Sequence, residues 1–138
     1  MPKTPAVATG GQRLLVDGRD CGPLLVADTA LTRLRGMLGR NPLPPALLLQ
    51  PGGSVHGVGM LRSLEVALLE DALPEEDALP EGGELRVRHV CRLHPLGMTR
   101  PRRGVRSVLE APVGSFARWG LAVGSRVAVR PGPGGATP

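Results

Sequence analysis

Apolar and polar residues alternate most regularly between positions 84 and 93. Leu85, Val87, His89, Cys91 and Leu93 fall on one side of an extended chain, and Arg86, Arg88 and Arg92 on the other. Positions 64 to 70 alternate less cleanly, with Leu64, Val66 and Leu68 on one side and Glu65, Ala67 and Leu69 on the other. The two stretches predict an antiparallel hairpin. Its connection, 71–83, is acidic and proline-containing, and is expected to be exposed and mobile. Shorter strands are predicted over 13–16, 24–26, 46–49, 105–109 and 126–129. The first is stopped by the Asp17-Gly18 turn signal.

Helical spacing occurs once. Leu31, Leu34 and Leu38 share a face, Asp28 or Thr29 can cap the segment, and Pro42-Leu43-Pro44-Pro45 closes it. This predicts a helix over 30–37. Residues 114–118 suit a single helical turn. The fold class that follows is mainly β: a small β sandwich or barrel with one or two short helices. No internal repeat is visible. One β-rich domain is expected over 12–130, with flexible tails at 1–11 and 131–138, where Pro and Gly are dense and hydrophobic periodicity is missing.

Composition sharpens this outline. The 138 residues suit a single domain. Its core must be aliphatic, because Phe116 and Trp119 are the only aromatic residues. Two cysteines, Cys21 and Cys91, stand far apart with no Cys-x-x-Cys pair, so a zinc ribbon or thioredoxin-type site is not supported and two free thiols are expected. No apolar stretch approaches the 18 or so residues that span a bilayer, and no secretory signal is recognisable. A cytoplasmic location with no membrane partner is therefore expected.

The formal charge is +5, and arginine carries nearly all of the positive side. Arginine preference suits bidentate recognition of anions, although genome composition gives a plainer account of it. Seven arginines (86, 88, 92, 100, 102, 103 and 106) follow one another with no acid between them. Just before them, 65–84 is acidic throughout and lacks Lys and Arg. The two blocks can neutralise each other across the hairpin. If they do not, the Arg86–Arg106 stripe could hold nucleic acid phosphates. Single-strand binding usually adds stacking aromatics, and the stripe has none.

Two stretches carry a family resemblance. One runs Ala27-Asp28-Thr29-Ala30-Leu31-Thr32-Arg33-Leu34-Arg35-Gly36-Met37-Leu38-Gly39-Arg40. The other is Leu109-Glu110-Ala111-Pro112-Val113-Gly114, followed by Gly120-Leu121-Ala122-Val123-Gly124-Ser125-Arg126-Val127. They resemble the opening and closing signatures of the domain of unknown function 192 (DUF192) family. In the first, Thr32 replaces a Glu and Met37-Leu38 inverts a Leu-Met pair. In the last, Ser125 replaces an Asp. The middle, Val55-His56-Gly57-Val58-Gly59-Met60, keeps a Met and loses aromatics, and Ser63-Leu64-Glu65 replaces Pro-Leu-Asp. The resemblance spans about three quarters of the chain. It implies a small jelly-roll-like β sandwich and no particular reaction.

Few residues invite chemistry. His56 lies in a Gly-rich loop, where a His can act as acid, base or ligand, or simply bond a backbone carbonyl. Glu65 sits in an apolar strand, where a carboxylate needs a partner; Arg33 or Arg35 is the expected one. His89 and Cys91 at i, i+2 could begin a metal site with His56 or His94, but core packing is the plainer role, and no metal or cofactor is expected. The chain has no G-x-S-x-G elbow, P-loop, dinucleotide fingerprint or H-E-x-x-H. The reading that follows is a non-enzymatic binding or accessory module for a small polar or anionic ligand. Arg33, Arg35, His56, Met60 and Glu65 are its candidate ligand-binding residues. The alternatives are a hydrolase-like enzyme using Glu65 or His56 as general base, and nucleic acid association through Arg86–Arg106.

Overall fold

The computed structural model describes residues 11–27, 44–50, 63–72, 84–94 and 103–132. They form seven strands and one short helix. In chain order these are β1 (Gln12–Val16), β2 (Arg19–Ala27), β3 (Leu47–Leu49), β4 (Leu64–Asp71), β5 (Leu85–Leu93), β6 (Val105–Pro112), α1 (Ser115–Trp119) and β7 (Arg126–Pro131). The strands close into a barrel in the order β1-β2-β3-β6-β4-β5-β7. Of the sandwich and the barrel that the alternation allowed, the chain forms the barrel.

Six of the seven pairings are antiparallel. The exception is β2 with β3, whose parallel register runs from Leu25↔Leu47 to Ala27↔Leu49. A parallel neighbour needs a crossover of a dozen or more residues, which the chain between Ala27 and Leu47 is long enough to supply. The β1–β2 hairpin turns at Asp17 and Gly18, both with positive φ (50° and 85°), the conformation for which Asp-Gly is suited. The predicted β4–β5 hairpin is present, pairing Leu64↔Leu93 through Asp71↔Leu85. The narrowest seam is β5–β7, paired only at Leu85↔Val127 and Arg86↔Arg126.

The interior is aliphatic and receives side chains from every strand: Leu14, Val16, Leu24, Leu48, Ala67, Leu69, Leu85, Val87, Leu109, Ala111 and Val127. Phe116 and Trp119 of α1 pack into the same core, with ring centroids 5.9 Å apart. A second apolar layer lies on the opposite face of the sheet, where Ala27, Leu47, Leu49, Leu64, Val66, Leu68, Leu93 and Val108 are buried. Burial on both faces explains why 64–69 alternates so poorly in sequence: a strand apolar on each side has no polar face to show.

Two β-bulges change the faces expected of the central hairpin. Between β4 and β5 the register steps from Leu68↔His89 to Leu69↔Val87, leaving Arg88 extra. Between β4 and β6 it steps from Leu69↔Ser107 to Glu70↔Val105, leaving Arg106 extra. Alternation resets at a bulge. Leu85 and Val87 therefore face the interior, while Cys91 and Leu93 belong to the outer layer, and the five residues expected on one face are divided. The three arginines are divided as well. Arg92 stands opposite Glu65 on the interior side of the sheet, beyond Val90, whereas Arg88 reaches Glu70 on the outside.

The segment expected to form the amphipathic helix, with Leu31, Leu34, Leu38 and both Arg33 and Arg35, lies outside the described residues. So do the expected tails other than Gly11, Pro131 and Gly132, the greater part of the 71–83 connection, and the loop with His56 and Met60. No helix among the described residues is long and apolar enough to cross a membrane.

Candidate functional site

Of the five candidate ligand-binding residues, Glu65 is the one that lies among the described residues. It points from β4 toward the end of the barrel that α1 covers. The chain leaves β6 at Pro112 and turns at Gly114, whose φ of 99° is left-handed and which offers no side chain to cap the helix. The first amides of any helix lack partners within it. Here Glu65 Oε1 supplies them, accepting from Gly114 N at 3.0 Å and Phe116 N at 2.9 Å. A negative charge at that end also suits the helix dipole. Both contacts are to backbone amides; Arg33 and Arg35, the partners expected for this carboxylate, lie outside the described residues.

The far end of α1 is held in the complementary way. Arg19 of β2 donates through Nη2 to the Trp119 carbonyl at 2.9 Å, and Gly120 ends the helix with φ 69°. An acid at the first turn and a base at the last thus fix a five-residue helix that could not persist alone. Within it, Ser115 Oγ donates to the Pro112 carbonyl at 2.7 Å, and Arg118 Nη2 donates to Ser115 Oγ at 3.4 Å.

Three further polar residues share this barrel end. Arg92 is the cross-strand neighbour of Glu65. One pair beyond Leu64↔Leu93, Ser63 Oγ and His94 Nδ1 are 3.2 Å apart. Side chains two positions apart on a strand lie on the same side, so Ser63, Glu65, Arg92 and His94 form one patch. Sequence reasoning missed Ser63 as a site residue, considered Arg92 only within the Arg86–Arg106 stripe and His94 only as a metal ligand. The signal was available in the spacing 63/65 and 92/94, but became readable only once the register was known.

Elsewhere the arginines are matched by acids. Arg88 pairs with Glu70 at 3.0 Å, Arg106 with Asp71 at 3.6 Å and Arg126 with Glu84 at 2.8 Å. The expected neutralisation between the acidic and basic blocks is present at Arg88 and Arg106, through pairs exposed enough to contribute about 0–1 kcal/mol each, while Arg126 lies beyond the basic block. Arg13 and Arg130 both reach Asp20, each at 2.9 Å. The Arg13 bond, helped by the Gly22 amide and the Arg130 charge, holds the Asp20 carboxyl below its usual value of 3.8. Burial pushes the Cys21 thiol up from 9.0, against smaller opposing contributions, so it stays protonated near neutrality. Among the described residues, Arg86, Arg92 and Arg103 make no ion pair.

One acid lies fully inside the structure. Glu110 of β6 is 3% exposed, between Leu47 and Val66 on the outer face, and it is partnered there. Among the described residues no buried side-chain nitrogen or oxygen lacks a hydrogen bond. Among the described residues no group of three metal-binding side chains occurs; His56, one of the third ligands considered for His89 and Cys91, lies outside them.

No protein-family model matches the chain, and no curated protein matches it. Solved structures do. A protein of unknown function from Novosphingobium aromaticivorans superposes with a TM-score of 0.60 at 20% identity, over 83% of this chain and 82% of that one. A protein from Sinorhizobium meliloti, described provisionally as a transcription regulator, gives 0.61 at 19% identity, over 84% and 89%. At such identities the likeness is one of fold.

Proposed function

We propose that this small β barrel is a non-enzymatic binding or accessory module for a small polar or anionic ligand, taken at the barrel end that carries Glu65. One observation carries the reading. Glu65 Oε1 is bound by the Gly114 and Phe116 amides, while Arg92 opposite makes no ion pair among the described residues. Arg33, Arg35, His56 and Met60 join Glu65 in the proposed ligand set. Met60 is five residues from Glu65 along the chain, which limits their separation to roughly 17 Å. A carboxylate already accepting two amide hydrogen bonds is poorly placed as a general base, which weighs against the hydrolase alternative.

The chain also reads as a divergent DUF192 member. The glycines that carry the closing signature, Gly114, Gly120 and Gly124, stand at φ 99°, 69° and 93°, where a side chain would be strained. That gives the signature a backbone reason.

A thermal-shift screen of the full chain against small anionic metabolites tests the module. A ligand at 100 times its Kd should stabilise the fold by about 2.7 kcal/mol, and the Arg35→Gln variant should lose that shift. Esterase or phosphodiesterase turnover abolished by Glu65→Gln, with Tm unchanged, would overturn it in favour of the enzyme. Nucleic acid association draws on the net charge of +5, on Arg86 and Arg103, which make no ion pair among the described residues, and on the provisional description of the Sinorhizobium protein. The pairing of Arg88 and Arg106 with acids weakens it. Strong, salt-sensitive retention on heparin is the result that would favour it.

A further inference from the structure

We infer that Ser63, Arg92 and His94 form a receptor for the phosphoryl group of a small ligand. The inference rests on the module reading above and names both the ligand chemistry and residues outside the set proposed there. Its basis is geometry. Arg92 is the last but one residue of β5 and His94 the first residue beyond it, so an extended chain sets them about 7 Å apart on one side. Ser63 faces His94 across the hairpin, with Oγ 3.2 Å from Nδ1. Arg92 and His94 are both exposed, so a solute can reach them. Among the described residues, Arg92 is the arginine without an ion pair that stands beside this Ser–His couple.

Counting donors identifies the ligand. The Arg92 guanidinium offers two parallel N–H groups to an oxyanion. The Ser–His couple offers one more in either neutral tautomer. If the Ser63 hydroxyl donates to Nδ1, the Nε2 hydrogen is left over; if Nδ1 carries the hydrogen and donates to Oγ, the hydroxyl hydrogen is left over. A carboxylate held by the Arg92 fork has no third oxygen for the couple and can meet it only through a second lone pair of an oxygen already bound. A phosphoryl group has a third oxygen for it. The opposing term is the Glu65 charge next to Arg92, which the Gly114 and Phe116 amides share.

Titration of the full chain with inorganic phosphate at low ionic strength, followed by two-dimensional NMR with acetate in parallel, tests this. Phosphate should bind more tightly than acetate and shift the amides of 63–65 and 92–94. Arg92→Gln should raise the phosphate Kd about tenfold or more. Arg92→Lys keeps the charge and loses the fork, so it should fall between Arg92→Gln and the native chain; it decides the matter if Arg92→Gln fails to fold. Glu65→Gln retains an acceptor for the α1 amides and removes the charge, so it should lower the Kd. An unchanged Kd in folded Arg92→Gln, or a Glu65→Gln variant that binds no tighter, overturns the receptor. Phosphate binding lost in Arg35→Gln but kept in Arg92→Gln overturns it and leaves the module reading standing. A native chain that takes up no small anion in either the titration or the screen overturns both.

Discussion

At Glu65 a carboxylate from one strand completes the backbone of a helix nearly fifty residues later in the chain. The sequence signalled that this acid required a partner, because it interrupts an apolar strand. It could not say that the partner would be a pair of amides, since amides carry no sequence label. The consequence is measurable. Glu65→Ala leaves the Gly114 and Phe116 amides without their acceptor and should cost about 1–3 kcal/mol. Glu65→Gln should lose much less, because its amide oxygen can still accept. Chemical denaturation of the two variants beside the native chain checks this. Equal losses would mean that charge, rather than acceptance, holds the turn.

Among the elements, α1 and the two bulges do most to shape the candidate site. Residues 114–118 were readable as one helical turn because Gly114 and Gly120 bracket it. Its role as the plug of the barrel was not readable, since that depends on Phe116 and Trp119 turning into a core assembled from every strand. Phe116 is 3% exposed, and Phe116→Ala should destabilise the fold by about 3–5 kcal/mol, seen as a lowered denaturation midpoint. A smaller loss would place the helix on the surface. The bulges explain why the alternation over 84–93 misled. Strict alternation assumes an uninterrupted ladder. The inserted residues, Arg88 and Arg106, lie on either side of β4, and their side chains reach its acids Glu70 and Asp71. The arginine stripe is thereby divided, and only part of it retains free charge.

At the scale of the whole molecule, strands from opposite ends of the chain are joined through Asp20. Arg13 on β1 and Arg130 on β7 converge on this one carboxylate of β2. Its folded pKa lies below the usual 3.8, so its contribution to stability is fully present above that pH and is lost as pH falls through the folded value. Asp20→Asn should therefore melt below the native chain at neutral pH, and the difference should shrink on acidification below 3.8. Thermal melts of the two proteins across that range check it. A gap that stays constant would mean that the pairs contribute nothing through ionisation, as many exposed pairs do not. The sequence by itself determined the β class, the positions of the strands, the β4–β5 hairpin, the short helical turn and the aliphatic nature of the core. Each of these follows from local periodicity and turn chemistry, which act over a few residues. Only the tertiary structure decided that the strands close into a barrel, that two bulges reset the faces, and that Ser63, Glu65, Arg92 and His94 share one end of it. Closure and register are set by packing and hydrogen bonds between segments distant in sequence, and no local pattern encodes which residue will stand opposite which.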